Sequence, residues 1–142
     1  MSLSTLEISA VRDSFASLAW DAEGAARSFY GHLFDLAPET RGLFRQDIAE
    51  QGRKLMAALG FLVQRLETLE RVVPVVEALG RRHVEYGVQA RDYASVGQAL
   101  DRMLAERLPA AEAPQARMAW AKVYGALAEI MITAAYADAA AS

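Results

Sequence analysis

The chain has 142 residues, of which 54% are hydrophobic and 23% are charged, and its formal net charge is -3. This length fits one compact domain with a sizeable core, and the slight negative charge argues against a nucleic-acid-binding protein. The sequence contains no cysteine, so disulfide bonds and thiolate metal sites are excluded. It shows no signal-peptide pattern and no apolar run of about 18 residues, so we expect a cytoplasmic protein that does not span a membrane.

Two helices are predicted at the start of the chain. Ser4 and Glu7 form a capping-box pattern, and apolar residues follow at helical spacing, which predicts a first helix that ends near Ala19. Asp21 is typical of a helix N-cap and predicts a second helix. Pro38 cannot continue that helix, so we expect the helix to end there and a short helical turn to follow.

A third long helix is predicted after Asp47, which repeats the capping pattern together with Glu50. Apolar residues recur on one face of this helix, and one polar residue stands at the head of that face. The face comprises Gln51, Leu55, Leu59 and Leu62. Gln51 is notable because it is the polar residue at the start of an otherwise apolar face.

Three further helices are predicted in the second half of the chain. Pro74 suits the first turn of a helix that carries His83, and Gly87 closes that helix. The next helix ends before Pro109, and Pro114 starts the last one. We find no strand signal, repeat or linker, so the pattern predicts an all-α fold of six or seven helices with short loops.

His83 is the residue whose role this pattern leaves open. It shares one helical face with Val76 and Leu79, which precede it by seven and four residues. The chain has only one other histidine, so few side chains could supply a strong nitrogen ligand to a metal. His83 is therefore either a core histidine bonded to a carbonyl or a metal ligand.

Five segments together resemble the globin family, and most closely the single-domain bacterial haemoglobins and the haemoglobin domains of flavohaemoglobins. They are FYGHLFDLAPETRGLF (29–44), EQGRKLM (50–56), GRRHVEYGV (80–88), DYASVGQAL (92–100) and AWAKVYGALAEIM (119–131). They stand in family order and cover nearly the whole chain. The resemblance implies a globin fold over a single domain of residues 1–142, with six to eight helices around a pocket for haem b.

The resemblance also implies roles for individual residues at that pocket. His83 resembles the proximal ligand of the haem iron, and Tyr30 and Gln51 resemble the two polar residues of the distal side. A tyrosine O–H and a glutamine N–H can both donate to an oxygen atom on iron, although Tyr30 could also be a core tyrosine and Gln51 a solvated side chain. The other side chains expected at the haem are Phe34, Phe44, Leu55, Leu79, Val88, Tyr93 and Val96.

Tyr93 matches the tyrosine that approaches the proximal histidine in this family. In flavohaemoglobins a glutamate late in the last helix completes a network of histidine, tyrosine and glutamate. The matching position here is Ala135, and Glu129 lies more than a turn too early. An ionised partner would strengthen electron donation from the imidazole to iron, so its absence argues against strong peroxidase-like chemistry. Tyr93 is then either a remnant of that network or a core residue.

Lys54, Arg81 and Arg82 are the candidate partners of the haem propionates. Lys54 is favoured because it lies one turn from Gln51 on the same predicted helix, although surface cations are weakly specific. His32 points nearly to the opposite side of its helix from Tyr30, so we expect a surface histidine. The sixth coordination position of the iron should then be open, or filled by water or a weak ligand.

The leading functional hypothesis is reversible binding of O2, and of other small ligands such as NO or sulfide, at a haem iron held by His83. The alternative is a nitric oxide dioxygenase, which converts NO to nitrate with electrons from a reductase that we expect to be a separate protein. A haem-based sensor and a haem-free module of phycobiliprotein-like or stress-sensor type stay open, although the lack of cysteine disfavours covalent bilin attachment. We expect a monomer or a homodimer, with no nucleic-acid or membrane partner.

Overall fold

The computed structural model describes residues 3–44 and 47–141, with side chains described up to residue 136. Within these residues the chain forms α-helices and two short 3-10 helices, and no strand, which confirms the all-α prediction. Among the described residues, none of the helices combines the length and the hydropathy that a membrane span requires. The α-helices are α1 (Thr5–Ala19), α2 (Ala22–Leu36), α3 (Ile48–Val63), α4 (Val73–Glu85), α5 (Ala90–Arg107) and α6 (Ala113–Ala141), and the 3-10 helices are Pro38–Leu43 and Leu66–Arg71.

The helix starts confirm two of the three capping predictions. At α1 the Ser4 hydroxyl accepts from the Glu7 amide at 3.1 Å, and the Glu7 carboxylate accepts from the Ser4 amide at 2.8 Å. The Asp21 carboxylate accepts from the Gly24 amide at 3.1 Å at the start of α2. The box predicted for Asp47 is wrong, since its side chain makes no capping hydrogen bond to α3. Asp47 is exposed, so water can satisfy the first amides of that helix instead.

A capping box that the sequence reading missed starts α5. The Asp92 carboxylate accepts from the Gln89 amide at 2.8 Å, and the helix begins at Ala90, before the apolar face that Tyr93 opens. Gly87 has a φ of 95°, in the left-handed region that residues with a side chain rarely adopt, and it ends the preceding helix as predicted.

The helix carrying Gln51 and the helix carrying His83 are held by different neighbours. Helix α3 packs on α2, whereas α4 packs on α6, and α3 and α4 contact each other at most marginally. The buried side chains also fall into two clusters, a large one that includes Tyr30 and a smaller one that includes Tyr93. The fold therefore holds these two helices on different neighbours and hardly packs them on each other.

Two glycines let the helices that position the site approach their neighbours closely. A Cβ on Gly80 would lie 2.5 Å from the carbonyl oxygen of Met131, so only a residue without a side chain fits where α4 crosses α6. A Cβ on Gly52 would lie 2.8 Å from the Cβ of Ala26, where α3 crosses α2. The close crossings fix α4 against α6 and α3 against α2.

Candidate functional site

His83 lies near the end of α4 with a half-buried ring that is held by its own helix. Its Nδ1 is 2.8 Å from the carbonyl oxygen of Leu79. A carbonyl can only accept, so Nδ1 carries the hydrogen and Nε2 keeps its lone pair. Burial lowers the pKa of His83, outweighing the opposite effect of the Leu79 bond, so the ring stays neutral near pH 7. This is the form in which imidazole binds a metal.

Tyr93 stands beside His83, as the sequence reading expected. The two ring centroids are 6.3 Å apart and the planes are inclined by 27°. Tyr93 is buried, and its hydroxyl has no hydrogen-bond partner among the described residues. Burial, with a smaller contribution from Tyr136, raises the pKa of Tyr93 to about 12, so the phenol stays protonated. Ala135 is also buried, whereas Glu129 is exposed, so the last helix brings no carboxylate to this hydroxyl within the described residues.

Two tyrosines of α6 support this side of the site and were not predicted to do so. The Tyr124 hydroxyl donates to the carbonyl oxygen of Tyr93 at 2.7 Å, and the Tyr136 hydroxyl donates to that of Val88 at 3.2 Å. Because a buried tyrosine needs a hydrogen-bond partner for its hydroxyl, the sequence could have indicated that both tyrosines bond to some acceptor. The sequence could not indicate which carbonyl groups accept these bonds, because they lie 31 and 48 residues away along the chain.

Tyr30 and Gln51 are brought together, although they belong to different helices. Tyr30 is buried on α2, and its hydroxyl oxygen lies 3.4 Å from the carbonyl oxygen of Gln51 at the start of α3. A bond of this length is weak, so the hydroxyl can turn to a better acceptor. Burial raises the pKa of Tyr30 to about 12, which keeps the O–H a donor at neutral pH.

An aromatic cluster surrounds the Tyr30 ring. Its centroid lies 5.0 Å from that of Phe29, 5.9 Å from Phe34 and 5.2 Å from Phe44. Phe44 follows the 3-10 helix, so this turn carries its ring back over α2. Edge-on and offset contacts at these distances are favourable, and they hold the Tyr30 ring in one orientation.

The remaining predicted haem contacts divide between the two clusters. Phe34, Phe44, Leu55 and Val96 pack on the large cluster with Tyr30, and Leu79 and Val88 pack on the smaller one with Tyr93. All six are only partly buried. Incompletely covered apolar side chains of this kind are what an apolar ligand would cover on binding.

The predicted partners of the haem propionates and the second histidine of the chain lie outside the two clusters. Lys54, Arg81 and Arg82 are exposed, the first on α3 and the other two on α4 next to His83. His32 is half-buried rather than a plain surface residue, because its Nε2 lies 2.7 Å from a carboxylate oxygen of Glu106 on α5. The α5 side of α2 therefore holds His32, and the α3 side holds Tyr30.

Comparison with known proteins decides the family. The globin family model matches residues 27–131, which span both Tyr30 and His83. This chain is a globin. The finding confirms the family resemblance of the sequence, and the helical architecture agrees with it.

The curated relatives of this globin are longer proteins. A flavohemoprotein of Bordetella parapertussis is 36% identical over 124 residues, which cover 83% of this chain and 31% of the relative. A flavohemoprotein of Rhodopirellula baltica is 28% identical over 133 residues, covering 92% of this chain and 33% of the relative. The chain thus spans about a third of the length of the curated relatives it matches.

Solved structures match the whole fold. An engineered carbene transferase, derived from a candidate nitric oxide dioxygenase of Rhodothermus marinus, superposes with a TM-score of 0.84 at 26% identity, covering 99% of this chain and 98% of that one. A bacterial globin from Campylobacter jejuni superposes with a TM-score of 0.79 at 26% identity, covering 94% and 96%. The myoglobin of Aplysia limacina, at 18% identity and a TM-score of 0.79, shares the fold.

Proposed function

We propose that this globin binds haem b between α3 and α4, with His83 as the iron ligand, and that it binds O2 reversibly. Haem, held by His83, would supply an iron that can coordinate both an imidazole nitrogen and a small gas. The observation that carries the proposal is the Nδ1 hydrogen bond of His83, which leaves a neutral ring with its Nε2 lone pair available. Curated relatives named as flavohemoproteins support the same cofactor.

The described residues fit a flat apolar group with a polar edge. The predicted contacts are partly buried side chains of two separate clusters, and Leu79 and Val88 belong to the cluster of His83's neighbour Tyr93. Lys54 and Arg82 are exposed on α3 and α4 and could meet the propionates at the rim. Burying the porphyrin faces against these side chains would remove apolar surface from water, which favours binding.

Tyr30 and Gln51 supply the polar groups of the distal side. Bound O2 carries partial negative charge, so an O–H or N–H donor stabilises it, and the Tyr30 hydroxyl is kept protonated by burial. The rings of Phe34 and Phe44 pack against the Tyr30 ring and make its surroundings apolar, and a hydrogen bond made in apolar surroundings is stronger than one made in water. Leu55, one turn after Gln51, limits the room beside a ligand.

No second imidazole is expected at the iron. His32 is engaged with Glu106 on the α5 side of its helix, away from Tyr30, and an amide such as Gln51 is a poor iron ligand. We expect the ferrous protein without added gas to be largely five-coordinate. A ferrous absorption spectrum dominated by low-spin six-coordinate bands would contradict this expectation.

The experiment that tests the proposal is the absorption spectrum of the purified protein. A sharp Soret band is expected for the parent protein, and His83→Ala should lose haem or shift the band. His32→Ala is the matched control, because it removes the other imidazole and should leave the spectrum unchanged. An unchanged Soret band and haem affinity in His83→Ala, with a normal helical circular dichroism spectrum, would refute the proposed ligand.

Nitric oxide dioxygenase activity is the second candidate function. It is favoured by the flavohemoprotein relatives and by the Rhodothermus marinus neighbour. The overall reaction, NO plus O2 plus one electron to nitrate, needs an electron donor, for which we expect a flavin reductase. NO consumption by the oxygenated protein with an added reductase, measured with a nitric oxide electrode, separates the enzyme from an oxygen carrier. We expect the protein to work in the cytoplasm.

A further inference from the structure

The corner between α4 and α5, residues 86–89, follows His83 closely and is mostly exposed. Tyr86, Gly87 and Gln89 are exposed, and Val88 is partly buried. The main-chain amides of the corner make local bonds, since those of Tyr86, Gly87 and Val88 donate to the last turn of α4 and that of Gln89 donates to the Asp92 carboxylate. An exposed corner that depended on local bonds alone would open easily.

One hydrogen bond joins this corner to a distant helix within the part of the chain that the structure describes. The Tyr136 hydroxyl on α6 donates to the carbonyl oxygen of Val88 at 3.2 Å, across 48 residues. The amide of the same Val88 donates to the carbonyl oxygen of His83 at 3.0 Å. Tyr136 is thus linked to the main chain of His83 through the two ends of a single residue, whose side chain packs in the smaller cluster.

The Tyr136 hydroxyl bonds to the corner although another phenol is near. Tyr136 contributes to the raised pKa of Tyr93, which requires the two side chains to lie close together. The Tyr93 hydroxyl nevertheless has no hydrogen-bond partner among the described residues. The hydrogen of Tyr136 is therefore directed at the main chain of Val88, and its contact with the corner is specific.

His83 lies between two contacts with α6. Gly80, three residues before it, crosses α6 closely at Met131. Val88, five residues after it, is bonded to Tyr136, which stands five residues beyond Met131 on α6. The first contact fixes α4 ahead of His83, and the second fixes the chain that follows. The His83 main chain is therefore held from both sides by the same helix.

We propose that Tyr136 is a positioning residue for His83, which it holds through Val88 and the corner that follows α4. This inference rests on the proposed role of His83 as the iron ligand. The Tyr136 bond limits the positions that the corner can take, and with them the positions of the His83 carbonyl and ring. A ring held in one position keeps its Nε2 aimed at one point, and groups behind a metal ligand commonly serve to orient it in this way.

Hydrogen exchange at the Val88 amide of the full chain tests the hold on the corner. Tyr136→Phe keeps the ring and removes the hydroxyl, so this exchange should become roughly two- to tenfold faster, as expected for the loss of one neutral hydrogen bond. Tyr124→Phe is the matched control. Its hydroxyl also runs from α6 to a main-chain carbonyl, that of Tyr93, so exchange at Val88 should not change. Unchanged exchange in Tyr136→Phe, or equal acceleration in both variants, would overturn the proposal.

The iron–histidine stretching band of the ferrous protein, measured by resonance Raman scattering, tests whether the hold reaches His83. Tyr136→Phe should broaden and shift this band, because the ring then takes several orientations. An unchanged band together with faster exchange at Val88 would show that Tyr136 fixes the corner alone, and its positioning role would be wrong. The exchange measurement needs no haem. A parent protein without a Soret band would therefore refute the iron ligand, whereas unchanged exchange would refute the role of Tyr136.

Discussion

The two sides of the proposed haem pocket orient their key side chains by different means. On the distal side, the ring of Tyr30 is held by three other aromatic rings and its hydroxyl faces the Gln51 carbonyl of another helix. On the proximal side, the ring of His83 is oriented by a carbonyl four residues back in its own helix. The orientation of the Tyr30 ring therefore depends on tertiary packing, whereas the orientation of the His83 ring depends on local structure.

The position of the proximal helix, in contrast, depends on one close crossing. Helix α4 is set by its contact with α6 at Gly80, and the neighbouring Tyr93 keeps a buried hydroxyl without a partner in the described chain. The Tyr30 hydroxyl on the distal side has a main-chain acceptor within reach, whereas the Tyr93 hydroxyl on the proximal side has none in the described chain. Distal substitutions should therefore change ligand binding, and proximal ones should change the placement and electron donation of His83.

The largest effect should come from removing the Tyr30 hydroxyl. A donor to a partly charged acceptor in a dry site is worth about 1.5–3 kcal/mol, so Tyr30→Phe should speed O2 release roughly ten- to a hundredfold. CO carries little negative charge, so its release should change much less. Stopped-flow dissociation rates for both gases check this prediction.

The control for that experiment is Tyr86→Phe. Tyr86 is an exposed tyrosine on the proximal side, so the loss of its hydroxyl should leave both gas release rates unchanged. Equal acceleration of O2 and CO release in Tyr30→Phe would show that Tyr30 acts through its shape, and the hydrogen-bonding account of the distal side would be wrong.

The proximal side should be most sensitive at Gly80. A methyl group there meets the Met131 backbone, which cannot move aside cheaply, so Gly80→Ala should lower the free energy of unfolding by about 1–3 kcal/mol. Urea unfolding checks the value, and Gly31→Ala is the control. Gly31 has open space around its Cβ position, so alanine there should stabilise α2 by about 0.5–1 kcal/mol. Equal changes in both variants would mean that the crossing is not tight.

The unpartnered hydroxyl of Tyr93 gives a third prediction. Ala135→Glu should supply the missing carboxylate, strengthen electron donation through His83 and raise peroxidase activity up to about tenfold. The iron–histidine stretching frequency should rise with it. Ala135→Gln has nearly the same shape without the charge, so a folded glutamine variant that behaves like the glutamate variant would show that an ionised partner is not what matters.

The smallest expected effect is at Gln51. Gln51→Leu should speed O2 release in the same direction as Tyr30→Phe but only about two- to tenfold, because a neutral hydrogen bond from an amide is worth about 0.5–1.5 kcal/mol. Stopped-flow measurement beside the Tyr30→Phe variant checks the ranking. If Gln51→Leu had the larger effect, the main donor of the distal side would be the amide.

Much of the helical layout could be read from local signals. The caps at Ser4 and Asp21, the break at Gly87 and the helix start near Pro74 are all where the sequence predicted them, since each depends on residues within one turn. The capping box predicted at Asp47 was wrong, although it too was a local pattern. An exposed helix end can be satisfied by water, so the side-chain cap is not required there.

The sequence by itself determined which residues form helices, which family the chain resembles and which face of its helix His83 occupies. Even the orientation of the His83 ring is local, since Leu79 lies one turn before it. Only the tertiary structure decided that Tyr30 meets Gln51, that Tyr93 keeps a hydroxyl without a partner in the described chain, and that Tyr136 bonds to Val88. These features join residues far apart in the chain, and their positions follow from how whole helices cross, which no local pattern encodes.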